Sequence, residues 1–149
     1  MAKFRYGLLL ALIASSALAA TPKGDWLVED KDAIIRVDSC GSALCGTVVW
    51  TKKPGGLDEN NPDPAKRSRP IMGLQLLLGM KPASDGRWAG DIYNPENGKT
   101  YTSRIWLKSD DTLRVEGCVL GLLCSGQDWT RTKLETAAPT SSRSAPGKK

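Results

Sequence analysis

Between Gly24 and Arg131 the chain alternates short apolar or half-apolar runs with clusters of Gly, Pro, Asn and Asp. The run 33–39 is the clearest: Ile35 and Val37 interleave with Ile34, Arg36 and Asp38, a period of two that places successive side chains on opposite faces of a strand. Comparable runs span 24–29, 45–51, 87–93, 100–108, 112–119 and 122–131. The run 72–80 reads two ways. Its Gly73-Leu74-Gln75-Leu76-Leu77-Leu78-Gly79 core fits a helical turn packed on a barrel mouth or a buried strand, and a strand is predicted for part of it. Asn94-Pro95-Glu96-Asn97-Gly98 and Ser109-Asp110-Asp111 have the chemistry of hairpin turns, because Asn, Asp and Gly tolerate left-handed backbone. The pattern predicts an all-β protein, a small antiparallel up-and-down β-barrel of about eight strands. Its inward positions, Ile35, Val37, Val48, Ile92, Ile105 and Val115, are aliphatic. Most of the five tryptophans are expected in the core.

The segments outside this pattern set the domain limits. Lys3 and Arg5 precede an apolar run from Gly7 to Ala14, and Ala17-Leu18-Ala19 follows, the layout of an export signal over 1–19. The run is too short to span a bilayer. A single β-barrel domain is expected over 20–134. Residues 135–149, made of Ala, Pro, Thr, Ser, Gly and basic residues, are read as a disordered basic tail. A periplasmic or secreted location turns cysteine pairs into disulfides. Cys40, Cys45, Cys118 and Cys124 allow three pairings. Cys40–Cys45 and Cys118–Cys124 are favoured because each pair brackets a short turn between strand-like runs.

Charge and chemistry narrow the function. The chain has no histidine, which excludes Ser-His-Asp and Cys-His catalysis and histidine metal sites. Its formal charge of +5 lies mainly outside the domain: residues 21–134 hold 16 bases and 15 acids. A near-neutral domain has no bulk electrostatic attraction to nucleic acid. Asp25, Asp91, Glu116 and Asp128 are the carboxylates available for paired acid–base work, yet nothing in the sequence brings two of them together. Asp58-Glu59-Asn60-Asn61-Pro62-Asp63 is rich in oxygen ligands but lacks the spaced acids of a Ca²⁺ loop, so it reads as solvated loop. It belongs to a long Pro- and Gly-containing segment, 52–70, whose length marks a lid or binding element as one reading. Within it, Lys66-Arg67-Ser68-Arg69 reads as a solvated cluster able to touch an acidic partner.

Gly24-Asp25-Trp26 near the start and Trp129-Thr130-Arg131 near the end resemble the two ends of a lipocalin-like barrel. There an indole plugs the closed end and a basic side chain packs over it, which implies structural closure by Trp26 and Arg131. Together with Cys45-Gly46, Gly73, Trp88-Ala89-Gly90, Ile92-Tyr93-Asn94-Pro95, Gly98-Lys99, Tyr101, Leu113 to Val115 and Gly117, the order of elements resembles domain-of-unknown-function family 2147, exported bacterial proteins. The resemblance implies a calycin-type barrel and no reaction. Of the matched residues, Tyr93, Asn94, Lys99 and Tyr101 are candidate ligand-binding residues at a barrel mouth, with an amide, two phenols and an ammonium to meet a polar group. They also serve as turn and edge residues. The expectation is a monomeric, non-catalytic binding protein without catalytic residues, metal or cofactor, holding a small apolar or amphipathic ligand. The alternative is a solid barrel that binds an envelope component through the 52–70 loop, with Lys66, Arg67 and Arg69 in contact.

Overall fold

A computed structural model describes residues 20–134. The signal assigned to 1–19 and the tail assigned to 135–149 lie outside the described residues. Among the described residues eight strands follow one another: β1 (Gly24–Leu27), β2 (Ala33–Cys40), β3 (Ala43–Thr51), β4 (Gln75–Pro82), β5 (Trp88–Asn94), β6 (Lys99–Ser109), β7 (Thr112–Val119) and β8 (Leu123–Thr132). Each pairs antiparallel with its neighbours in sequence, and β1 pairs with β8, so the sheet closes into an up-and-down barrel. Among the described residues, the helix between strands is a short 3₁₀ turn at Pro64–Lys66. No described helix is long and apolar enough to cross a membrane.

Strand alternation puts Trp26, Ile35, Val37, Val48, Leu77, Met80, Ile105, Leu113, Val115 and Trp129 in one buried cluster inside the barrel. At roughly 1.5–3 kcal/mol for each large aliphatic side chain removed from water, this cluster is the main stabilising term. Two glycines make room for it. A Cβ on Gly46 would come within 2.9 Å of the Leu77 side chain, and one on Gly90 would stand 2.8 Å from the Met80 sulfur. The barrel is thus filled from within by its own residues. Of the five tryptophans, Trp26 and Trp129 are buried and Trp88 packs partly against the core, whereas Trp50 and Trp106 are half-exposed. Their outward strand positions explain the departure from a mostly buried set: Trp106 neighbours the inward Ile105 and pairs with Arg114.

The first and last strands meet at one rim in the way the Gly-x-Trp and Trp-x-Arg pair predicts. Trp26 and Arg131 are direct cross-strand partners, the guanidinium carbon lies 4.2 Å from the indole centroid, and the indole Nε1 donates to the Pro22 carbonyl at 2.8 Å. Arg131 also donates to the carbonyls of Asp110 (2.5 Å), Lys23 (2.8 Å) and Thr21 (3.3 Å), tying the β6–β7 turn to the N-terminal segment. Gly24 has a φ of +131°, and a Cβ there would meet the Arg131 Nη1 at 2.6 Å. The glycine of the motif suits both its left-handed backbone and the guanidinium seated beside it.

Both favoured disulfides form, Cys40–Cys45 across the β2–β3 turn and Cys118–Cys124 across the β7–β8 turn. The ambiguous 72–80 run resolves as strand from Gln75 onward, preceded by a turn in which Leu74 donates to the Ile71 carbonyl. Its apolar continuity, which blurred the reading, has a structural reason: Leu77 faces the core, while Leu78, on the other face, is half-covered by the long loop.

Candidate functional site

The β3–β4 connection is not a free excursion. Leu57 and Pro70 form an isolated antiparallel bridge, Ile71 donates to the Gly56 carbonyl, and Asp58 N–H donates to the Arg69 carbonyl, so the two limbs of the loop are zipped together. Beyond that bridge, Asp63 caps the 3₁₀ turn by accepting from Ala65 N–H, and Arg67 Nε donates to the Asn61 carbonyl. Asn60 reaches across to the β5–β6 turn, where its amide donates to the carbonyls of Pro95 (3.3 Å) and Glu96 (2.9 Å). Gly98 in that turn has a φ of +68°, and any Cβ there would overlap the Asn60 carbonyl.

The anchor of the loop is Asp58, whose relative exposure is 0 %. Tyr93 Oη donates to its Oδ1 at 2.6 Å, and Asn61 Nδ2 and Arg69 Nε both donate to its Oδ2 at 2.7 Å. Asn61 also donates to the Tyr93 oxygen at 3.1 Å, and the Arg69 guanidinium lies 5.5 Å from the Tyr93 ring centroid. Burial alone would raise the Asp58 pKa. The donations from Tyr93, Asn61 and Arg69 outweigh it and hold the carboxyl below its ordinary value. Burial and the adjacent carboxylate raise the Tyr93 phenol above its ordinary value. The pair is a carboxylate and a neutral phenol throughout the physiological range.

This arrangement corrects the sequence reading of 58–63 as a solvated segment: Asp58 and Asn61 are buried, and Arg69 of the supposedly solvated basic cluster is the carboxylate's partner. Nothing in the local sequence announces that burial, because the decisive partner, Tyr93, is 35 residues away.

The four candidate ligand residues do not converge. Tyr101 pairs with Ile92, and Ile92 pairs with the inward Leu77, so Tyr101 is on the inner face. Tyr93 is one residue on, paired with exposed Thr100, and is therefore on the outer face, where it is buried only because the loop lies over it. Tyr101 Oη accepts from Asn97 Nδ2 at 2.9 Å. Asn94 shapes the turn: its side chain accepts from Glu96 N–H and its carbonyl from Gly98 N–H. Lys99 is exposed at the start of β6. The carboxylates considered for acid–base work lie on the outer surface, with Glu116 and Asp128 sharing Arg114 and Asp25 and Asp91 apart from them. Asp25 is gripped by Arg36 at 2.7 and 2.8 Å, Asp128 by Lys108 at 2.6 Å and Arg114 at 3.1 Å, Glu116 lies 3.6 Å from Arg114, and Asp91 is exposed. Arg36 holds Asp25 below its ordinary pKa, and Lys108 and Arg114 do the same to Asp128. Among the described residues no group of three acidic or cysteine side chains is placed to hold a metal ion.

Where the loop meets the outer face of β4–β6 it leaves an open cleft of about 660 Å³. Its apolar side is Met72, Leu74 and Leu78; Tyr93, Gln75, Asn61 and Thr100 supply polar groups; Lys66 and Arg69 supply two cations. No carboxylate lines it. A smaller cleft of about 340 Å³ lies near the closed end, where Arg87 stacks 4.1 Å above Trp106.

Residues 24–131 match the model of a family described as an uncharacterized protein conserved in bacteria (DUF2147). No curated protein matches the chain. Among solved structures, the chain is similar to a protein of the human pathogen Helicobacter pylori described as belonging to the lipocalin family, at 20 % identity and a TM-score of 0.68, over 76 % of this chain and 84 % of that one. At that identity the likeness establishes the lipocalin-like fold.

Proposed function

The chain belongs to this bacterial DUF2147 family, whose description states no activity, and from the loop geometry we propose that it is an exported, non-catalytic binding protein that takes a small amphipathic anion in the cleft beneath segment 56–74. The observation that carries the reading is the lining: two cations and an apolar wall with no carboxylate among them. A carboxylate or phosphate head would meet Lys66 and the terminal nitrogens of Arg69, since only its Nε is committed to Asp58. A hydrocarbon portion would cover Met72, Leu74 and Leu78. The volume falls within the roughly 300–1,000 Å³ usual for small-molecule sites. Filling of the barrel by Leu77, Met80 and the tryptophans favours this outer cleft over the interior. Export accounts for the N-terminal charge-then-apolar pattern and for the two closed cysteine pairs.

Isothermal titration with laurate is the test. Saturable one-to-one binding is expected, weakened at least tenfold by Lys66→Glu and by Met72→Glu. Equal affinity in both variants, or no binding by the wild type, would overturn the assignment.

A further inference from the structure

The β7–β8 turn carries a feature that the cleft does not use. From Val119 to Leu123 the sequence is Val-Leu-Gly-Leu-Leu, and these side chains are exposed: Val119 47 %, Leu120 89 %, Leu122 85 % and Leu123 75 %. Two further facts separate the patch from an incidental one. Leu120 and Gly121 have φ of 53° and 69°, and Leu122 N–H donates to the Val119 carbonyl, the pattern of a type I′ turn. The first central position of that turn favours Asn or Gly; here an exposed leucine is held in left-handed backbone. Directly behind it, Cys118 and Cys124 are opposite each other in register and bridged, so the tip is presented on a covalently closed hairpin. β8 pairs with β1 only through Thr130–Thr132, leaving Leu123 to Trp129 without a ladder partner on that side. On its β8 side the hairpin end runs past the β1–β8 ladder.

We infer that this tip is a membrane-surface anchor in which Leu120, Leu122 and Leu123 enter the boundary between the headgroups and acyl chains of a phospholipid bilayer. Area and shape choose the bilayer over a second copy or another protein. Four aliphatic side chains offer on the order of 400–500 Å², well below the roughly 800 Å² per partner of a stable protein interface. The surface is convex and has no hydrogen-bonding side chain over 119–123, so it lacks what directional recognition requires, whereas a lipid boundary accepts any apolar protrusion. Extending the β6–β7 register brings Lys99 beside the tip, and Arg104 Nη2 lies 3.9 and 3.7 Å from the Cys118 and Cys124 sulfurs behind it. The tip itself, 119–123, carries no charge, so its association with a neutral bilayer runs on apolar insertion.

The experiment is flotation with phosphatidylcholine vesicles of the full chain, secreted by a bacterial host and purified with both disulfides intact. Neutral lipid keeps basic segments from contributing. The wild type is expected to float with the vesicles equally at 0.1 M and 1 M NaCl. Leu120→Asn combined with Leu122→Ser should reduce the floated fraction at least fivefold without lowering the melting temperature, because Asn suits the turn. Leu122→Ser alone, which leaves the turn backbone untouched, should give an intermediate loss. Wild type remaining in the soluble fraction, variants floating like wild type, or binding abolished by salt would each overturn the anchor. A wild-type dimer dissolved by the same substitutions would replace the bilayer with a second copy.

Discussion

Replacing Asp58 is the most informative perturbation of the loop. In Asp58→Ala the Tyr93 hydroxyl, the Asn61 amide and the Arg69 guanidinium lose a common acceptor in a buried place. Leaving one side of such a buried charged pair unmatched costs about 3–5 kcal/mol. Arg69 is partly exposed, which lets water recover some of this and favours the lower end, about 3 kcal/mol. Asp58→Asn is milder for a geometric reason. Its amide can turn so that the oxygen keeps the two donors from Asn61 and Arg69 while the nitrogen donates to the Tyr93 oxygen, so charge assistance and the acceptor of the Tyr93 proton are lost but the other donors stay matched, about 1–2 kcal/mol. Because the eight strand pairings close the barrel without the loop, the loss should appear as local opening. The amides of Asp58, Asn61 and Ile71, which bond to Arg69, Asp58 and Gly56 carbonyls, report it by hydrogen exchange. At 1.4 kcal/mol per tenfold, protection should fall on the order of a hundredfold in Asp58→Ala and about tenfold in Asp58→Asn. Amides of β6 and β7 should keep theirs. Unchanged exchange in Asp58→Ala, or equal losses in the barrel strands, would refute the reasoning. The pH dependence follows in sign. Asp58 has a lowered folded pKa, so its contribution is full above the ordinary carboxylate value of about 3.9 and disappears as pH falls through the folded value. Tyr93 has a raised one, so its contribution is full below about 10 and is lost as pH rises through the folded value. Loop amides should be protected between those limits and exchange freely outside them.

Three further outcomes are expected. Gly98→Ala combines a left-handed φ with overlap of the Asn60 carbonyl; it should cost more than about 1 kcal/mol by denaturant titration and deprotect both the 95–98 turn and the 58–61 limb. Arg131→Ala removes the cover of Trp26 and three carbonyl contacts; a loss of about 2–3 kcal/mol in urea unfolding is expected, and Arg131→Lys should recover little of it because an ammonium cannot stack and fork as the guanidinium does. Each disulfide closes a loop of sequence separation 5 or 6, for which chain entropy gives about 2 kcal/mol; reduction should lower the melting temperature while leaving a folded barrel by circular dichroism.

The strands were legible because one face of each is buried and the period of two survives in sequence, as in Ile35-Arg36-Val37-Asp38, where burial alternates in the structure as the pattern requires. The 72–80 run was obscure because a second cover, the loop, makes both its faces apolar. Opposite facing of Tyr93 and Tyr101 follows from register alone: the hairpin pairs Ile92 with Tyr101 and Tyr93 with Thr100, and a shift of one residue reverses the face. Their chemistry points to one mouth, whereas the turn between them sets them on opposite faces. Asp58 was illegible for a different reason. Its neighbours are those of a solvated loop, and its burial depends on a tyrosine supplied from another hairpin, a long-range pairing that leaves no local periodic trace. The apolar tip at 119–123 was hidden in a similar way, since Leu122 and Leu123 extend a strand-like run and only the three-dimensional turn shows them facing water.

The proposed ligand site lies beneath the loop, outside a barrel filled by its own core. Amide chemical-shift mapping of isotope-labelled protein during laurate titration tests it directly. Saturable shifts are expected at Asn61, Lys66, Arg69, Gly73, Gln75 and Thr100, with Ile105, Leu113 and Val115 unmoved. Shifts running instead along Ile105, Leu113 and Val115 would place the ligand inside the barrel and contradict it.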